Sequence, residues 1–274
     1  MLCLFRTDLT HFMMEIFLAS LLLGTLAGVS AGLFGIGGGA LIVPFLSWLF
    51  EARQFQAQHI MLMAVATSLA TAIFSSAASV RTHYQLGNIV RQRALRLTPS
   101  LLLGALAGSI VAEYISAELL RRFFIAYLLY TGLQMALPKK PSVTPRFNSQ
   151  YLDYPTGLLI GMLSALLGIG GGTMSVPYLA ASGLAMKNAV ATSSTCALPI
   201  AFSAAASYIY LGWQDNDLPS GSLGYIYLPA FIGIVTTSIF TAPMGARLAH
   251  RLPAQQLKRY FAVLLLLLAL KMAW

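Results

Sequence analysis

Six stretches of the chain contain no charged residue at all: 16–50, 54–80, 97–112, 154–186, 188–214 and 218–246. A helix needs about 20 apolar residues to cross roughly 30 Å of hydrocarbon, and most of these stretches are longer than that. Only 9% of the 274 residues are charged and 58% are hydrophobic, whereas about a quarter of a soluble domain is charged. The predicted fold class is all-α, a polytopic integral membrane protein with about eight hydrophobic segments. A soluble globule, a disulfide scaffold and a disordered tail are excluded.

The formal net charge of +9 does not indicate nucleic acid. Lys and Arg occupy short loops between apolar runs, the pattern of cytoplasmic loops under the positive-inside rule. No segment is long enough to carry a contiguous basic surface, so no nucleic-acid partner is expected. Cys3 and Cys196 have neither a C-x-x-C partner nor a nearby His. No metal, cofactor or catalytic residue is expected, and the chain reads as a non-enzyme. Residues 1–15 read as an N-terminal extension. The run from Ile16 does not stop at the Ser30-Ala31-Gly32 tail, so it is read as the first membrane segment rather than a cleaved signal.

An internal repeat organises the rest. Residues 33–46 (LFGIGGGALIVPFL) and 166–179 (LLGIGGGTMSVPYL) match at nine of fourteen positions at an offset of 133. Ala64-Val65-Ala66-Thr67-Ser68 recurs unchanged as Ala189-Val190-Ala191-Thr192-Ser193, and Leu120-Arg121-Arg122-Phe123-Phe124 answers Leu257-Lys258-Arg259-Tyr260-Phe261. The halves are a first transmembrane repeat over 16–137 and a second over 154–274, joined by a polar linker over 138–153. In each half the first segment is too long for one crossing and is interrupted by Gly-Ile-Gly-Gly-Gly, at 35–39 and 168–172. Glycine costs about 1 kcal/mol relative to alanine inside a helix, so such a run predicts a break at membrane depth. A second short helix should follow, beginning near Ala40 or Thr173, with Pro44 or Pro177 in its first turn.

Charge placement selects the path at the break. If all eight segments cross once, Lys and Arg divide 9 to 8 between the two sides. If each broken segment doubles back, they divide 12 to 5, with the poorer side holding Arg6, Arg53, Arg121, Arg122 and Lys271 together with Asp215 and Asp217. The second arrangement obeys the charge rule, and it makes the two repeats inverted relative to each other.

Inverted repeats with discontinuous helices build secondary transporters, whose sites lie near the bilayer midplane. Irregular backbone is tolerated at that depth only where it is buried in protein or lines a watery cavity. Half-helix N-termini would turn free N–H groups and a positive dipole end toward each break, which favours an anion. The apolar segments hold essentially no carboxylate in their interior, which removes the obvious cation ligand. The candidate substrate-binding residues are therefore Gly35, Gly37, Gly38, Gly39 and Pro44 in the first break, and Gly168, Gly170, Gly171, Gly172 and Pro177 in the second. Hydroxyls of the following helix would complete a polar cup: Thr67, Ser68 and Ser75 from the stripe Thr67/Thr71/Ser75, and Thr192, Ser193 and Ser203 from its counterpart. The competing use of any single Ser or Thr is close helix packing. The small-residue faces Gly24/Gly28/Gly32, Gly104/Gly108 and Gly157/Gly161 read as packing surfaces.

At the paired Gly-Ile-Gly-Gly-Gly with Val-Pro, at 35–44 and 168–177, and at the Ala-x-Thr-Ser segments 66–68 and 191–193, the sequence resembles the TauE/SafE (sulfite exporter) family. The likeness runs from about residue 16 to 274. It implies a multi-pass carrier of the cell inner membrane for small sulfur-containing anions such as sulfite, sulfoacetate or other organosulfonates. The expected function is a secondary transporter working by alternating access, with a small anion and the lipid bilayer as partners. The rival readings are an anion channel and a non-transporting membrane scaffold.

Overall fold

The computed structural model describes residues 2–34, 38–136, 150–248 and 254–274, with side chains over 14–33, 38–136, 151–248 and 262–274. Among the described residues the regular structure is helical apart from one two-stranded ribbon. In order run α1 (Leu2–Phe34), α2 (Gly39–Ala52), α3 (Ala57–Gln85), α4 (Arg91–Tyr114), α5 (Ala117–Ala136), α6 (Asp153–Leu167), α7 (Gly172–Ala181), α8 (Met186–Leu211), α9 (Leu228–Leu248) and α10 (Ala254–Ala273). β1 (Ser222–Leu223) and β2 (Ile226–Tyr227) pair antiparallel just before α9. Of the linker expected over 138–153, residues 138–149 lie outside the described residues, as do Gly35 and Gly37 of the first break.

The eight apolar segments become ten α-helices among the described residues because the first segment of each half is split in two. Five helices among the described residues are long and apolar enough to cross a membrane: those over Met14–Leu33, Ala57–Gln85, Arg91–Tyr114, Met186–Gln214 and Leu228–Leu248. The pieces after the breaks are short. At 1.5 Å per residue, the 14 residues of α2 and 10 of α7 span about 21 and 15 Å, less than a bilayer core.

Each split segment doubles back. In the second half, the Tyr178 hydroxyl of α7 donates to Asp153 at the start of α6 (2.6 Å), so α7 returns to the end where α6 began. In the first half, Arg53 just beyond α2 pairs with Glu15 on α1. The two hairpins open at opposite ends of the molecule. Arg93 at the start of α4 is bound to Asp153 (3.0 Å), whereas Arg53 leads into α3, whose far end feeds α4.

The halves interlock rather than sit side by side. α1 packs on α9, and reciprocally α6 packs on α4; α3 and α8, which carry the two Thr-Ser pairs, cross each other at the centre. The small-residue faces mediate the first two contacts. A Cβ on Gly28 would lie 2.8 Å from the Cα of Ser238 on α9, and one on Gly161 would lie 2.9 Å from the backbone nitrogen of Ala105 on α4. Lipid offers no hydrophobic drive for helix pairing, so close backbone approach over glycine supplies it through dispersion.

Candidate functional site

Both glycine runs break the helix by the same backbone solution. Gly38 adopts φ 76°, ψ −10° and Gly171 adopts φ 72°, ψ −10°, and each stands directly before the short helix. This left-handed conformation suits a residue without a Cβ. In the second half the incoming helix closes in a Schellman motif. Gly168 (φ 67°) turns the chain, Ile169 N–H donates to the Ser164 carbonyl (3.0 Å) and Gly168 N–H to that of Ala165 (3.4 Å).

The short helices begin at Gly39 and Gly172, one residue earlier than the sequence suggests. Pro44 and Pro177 consequently fall in the second turn, not the first, and both helices run on through them. Each occupies a position whose missing donor would have reached back four residues, to the carbonyl of Ala40 or Thr173. Pro44 is buried and Pro177 is exposed.

The first amides to find a carbonyl are Leu41 and Ile42 on Gly38 (3.0 and 3.2 Å), and Met174 and Ser175 on Gly171 (3.1 and 2.8 Å). Among the described residues no side-chain hydrogen bond caps either helix. The N–H groups of Gly39, Ala40, Gly172 and Thr173 therefore face the breaks with no acceptor among the described residues. Gly38, Gly39 and Gly168 to Gly172 are all buried, and the two breaks touch. A Cβ on Gly39 would collide with the Gly168 carbonyl and lie 2.9 Å from Ile169 Cα; one on Gly168 would lie 2.9 Å from the Cα of Val65 on α3.

The two Thr-Ser pairs sit at this crossing; all four hydroxyls bridge elements, and three of them join the two halves. The hydroxyl of Thr67 accepts from the N–H of Tyr227 (3.0 Å), and that of Thr192 from the N–H of Val90 (3.1 Å). Those donors immediately precede α9 and α4, so each half anchors the other half's fourth helix. Ser68 donates to the Gly168 carbonyl (2.7 Å), while Ser193 is bonded to Ser175 of α7 (2.7 Å). The remaining predicted hydroxyls stand away from the breaks. Ser75 is two turns along α3 and faces its own Ala72 carbonyl (3.5 Å); Ser203 bonds the Leu102 carbonyl of α4 (2.9 Å).

Sequence reasoning missed three side chains here. Ser164, in the last turn of α6, is 1% exposed, and its hydroxyl has no partner among the described residues. Tyr127 of α5 is hydrogen-bonded to Thr173, the second residue of α7. Tyr208 of α8 donates to the Ala165 carbonyl beside the second break (3.0 Å). The available signal for Ser164 was a lone hydroxyl inside the otherwise apolar run Leu158–Leu167.

Charged groups gather at the hairpin mouths. Asp153, 1% exposed, receives Arg93 and Tyr178. At the other end His59 lies 3.5 Å from Asp215, and Tyr225 stacks on His59. Burial, with the Glu113 and Asp215 carboxylates nearby, pushes the Tyr225 hydroxyl up to about 12. Lys271 sits 3.9 Å from the ring centroid of Trp48, a cation over an indole face at that same end.

Comparison with known proteins places the chain among membrane transporters. The chain is 38% identical over 261 residues to a probable membrane transporter protein of Haemophilus influenzae, covering 95% of this chain and 99% of that one. It is 25% identical over 240 residues to a probable membrane transporter protein of Methanocaldococcus jannaschii, covering 87% and 88%. A third probable membrane transporter, YdhB of Bacillus subtilis, is 25% identical over 241 residues, covering 85% and 90%. No solved structure matches the chain. The sulfite exporter TauE/SafE family profile matches residues 20–272, and the chain is a multi-pass membrane transporter belonging to that family.

Proposed function

We propose that this transporter is a secondary carrier of small sulfur-containing anions, sulfite or organosulfonates, working by alternating access in the cell inner membrane. One observation carries the reading: two buried half-helix N-termini meet at the centre of the molecule, and the leading amides of both have no acceptor among the described residues. Bare amides at depth are costly unless something accepts from them, and aligned peptide dipoles make that partner an anion. The family name and the charge-poor interior point the same way.

Because every described residue of both breaks is buried, an anion reaches them only through rearrangement. The hairpins opening at opposite ends supply two such routes, one per face, as rocking of inverted repeats requires. The arginine-rich end, with Arg81, Arg91, Arg93 and Arg96, is assigned to the cytoplasm by the charge rule. A channel would need no closed state at either face, and a scaffold would need no uncapped amides.

Replacing Gly38 or Gly171 by Val tests the site. Each change places a branched side chain at positive φ and closes the break. Counterflow of sulfite in proteoliposomes should fall to background in both variants while the protein still reaches the membrane. Retained counterflow in both would refute the site.

A further inference from the structure

The two breaks share a backbone but not a lining. Around the second, the Ser164 hydroxyl lies 3.2 Å from where a Cβ on Gly171 would sit, fully buried and without a partner among the described residues. A buried hydroxyl left unmade is destabilising, so its persistence here calls for a ligand. The amides of Gly172 and Thr173, which have no acceptor among the described residues, follow Gly171 directly in the chain. Ser175 donates to the Gly171 carbonyl (2.8 Å) and accepts from Ser193 (2.7 Å). At the offset of 133, the first break has Ala31 in place of Ser164, Ile42 in place of Ser175 and Ala40 in place of Thr173. Its Ser68 hydroxyl lies 3.0 Å from where a Cβ on Gly39 would sit, but its proton is committed to the Gly168 carbonyl.

We propose that the anion is seated asymmetrically, at the start of α7, by the Ser164 hydroxyl and the amides of Gly172 and Thr173, and that this seat takes singly charged oxyanions in preference to doubly charged ones. The proposal rests on the transporter reading above and specifies its ligand class. No Lys or Arg is buried among the described residues, so the compensating charge is that of the helix end, about half an elementary charge. Desolvation cost rises steeply with charge, so a second negative charge would go uncompensated. A serine hydroxyl can also accept a hydrogen bond from the protonated oxygen of a hydrogen oxyanion. Ile200 and Ile160 line the same spot, 2.5 and 3.6 Å from that Cβ position, and offer an apolar wall to a small alkyl substituent.

The test is counterflow of labelled methanesulfonate in proteoliposomes containing the full chain. Unlabelled methanesulfonate should compete and equimolar sulfate should not. Sulfite should compete better at the pH where hydrogensulfite predominates. Ser164→Ala should raise the half-saturation concentration about tenfold, the effect of one lost hydrogen bond to a charged ligand, with the maximal rate nearly unchanged. Without ligand its melting temperature should equal or exceed that of the unaltered protein, because an unpartnered hydroxyl has gone. Sulfate competing as well as methanesulfonate would overturn the charge preference. An unchanged half-saturation, or a lowered melting temperature, in Ser164→Ala would overturn the seat. Absence of counterflow with methanesulfonate and with sulfite in the unaltered protein would instead overturn the transporter reading, so the two failures are distinguishable.

Discussion

The first and second breaks are two versions of one solution, and they differ where chemistry is concerned. Gly38 and Gly171 agree to within a few degrees in φ and ψ, yet Gly38 packs against the Ala27 backbone whereas Gly171 faces Ser164 and the end of Ile200. The two breaks share what the backbone requires and differ in what it does not. The hairpin mouths diverge in the same sense. One is closed by a buried carboxylate holding an arginine and a tyrosine, the other by a half-exposed Glu15–Arg53 pair.

The mouths give the largest expected contrast. Asp153→Asn leaves the partly exposed Arg93 facing a neutral amide at a buried position, and breaking a buried pair costs up to about 3–5 kcal/mol. Glu15→Gln removes a pair exposed by 31% and 42% on its two side chains, for which about 0–1 kcal/mol is typical. Thermal melts in detergent should show a large drop for the first and almost none for the second; equal drops would erase the distinction between the mouths. Next come alanines at the breaks. Positive φ costs a non-glycine residue about 1–3 kcal/mol at either position. Gly38→Ala should lose more than Gly171→Ala, because its Cβ meets the rigid Ala27 carbonyl at 2.8 Å whereas the other meets a movable Ile200 methyl. The reverse order would show that the first break is the looser one. Thr67→Val and Thr192→Val probe where the halves stay alike. Each leaves one backbone N–H without its acceptor, a loss of about 1–3 kcal/mol. The two melts should shift together, and a shift confined to one variant would break the reciprocity.

The two breaks, the doubling back and the segment count were legible in the sequence because each is a local or periodic property. Glycine runs cannot continue a helix, and charge counts depend on side, not on contacts. The roles of the hydroxyls were not legible. Thr67 meets Tyr227 across 160 positions and Thr192 meets Val90 across 102, so nothing local marks either as a clasp. Ser164 escaped because repeat logic highlights positions that recur, and its counterpart is Ala31. The prolines were misplaced by one turn because the helix starts at the last glycine of each run, not after it.

The clasps also dictate an order of assembly. A nascent chain inserts α1 long before α9 exists, so the glycine-lined flank of α1 must wait in lipid, unpaired, until nearly the whole polypeptide has been synthesised. Neither repeat can reach its final packing alone, and a chain cut between the repeats would mature only when both pieces are made together in one bilayer.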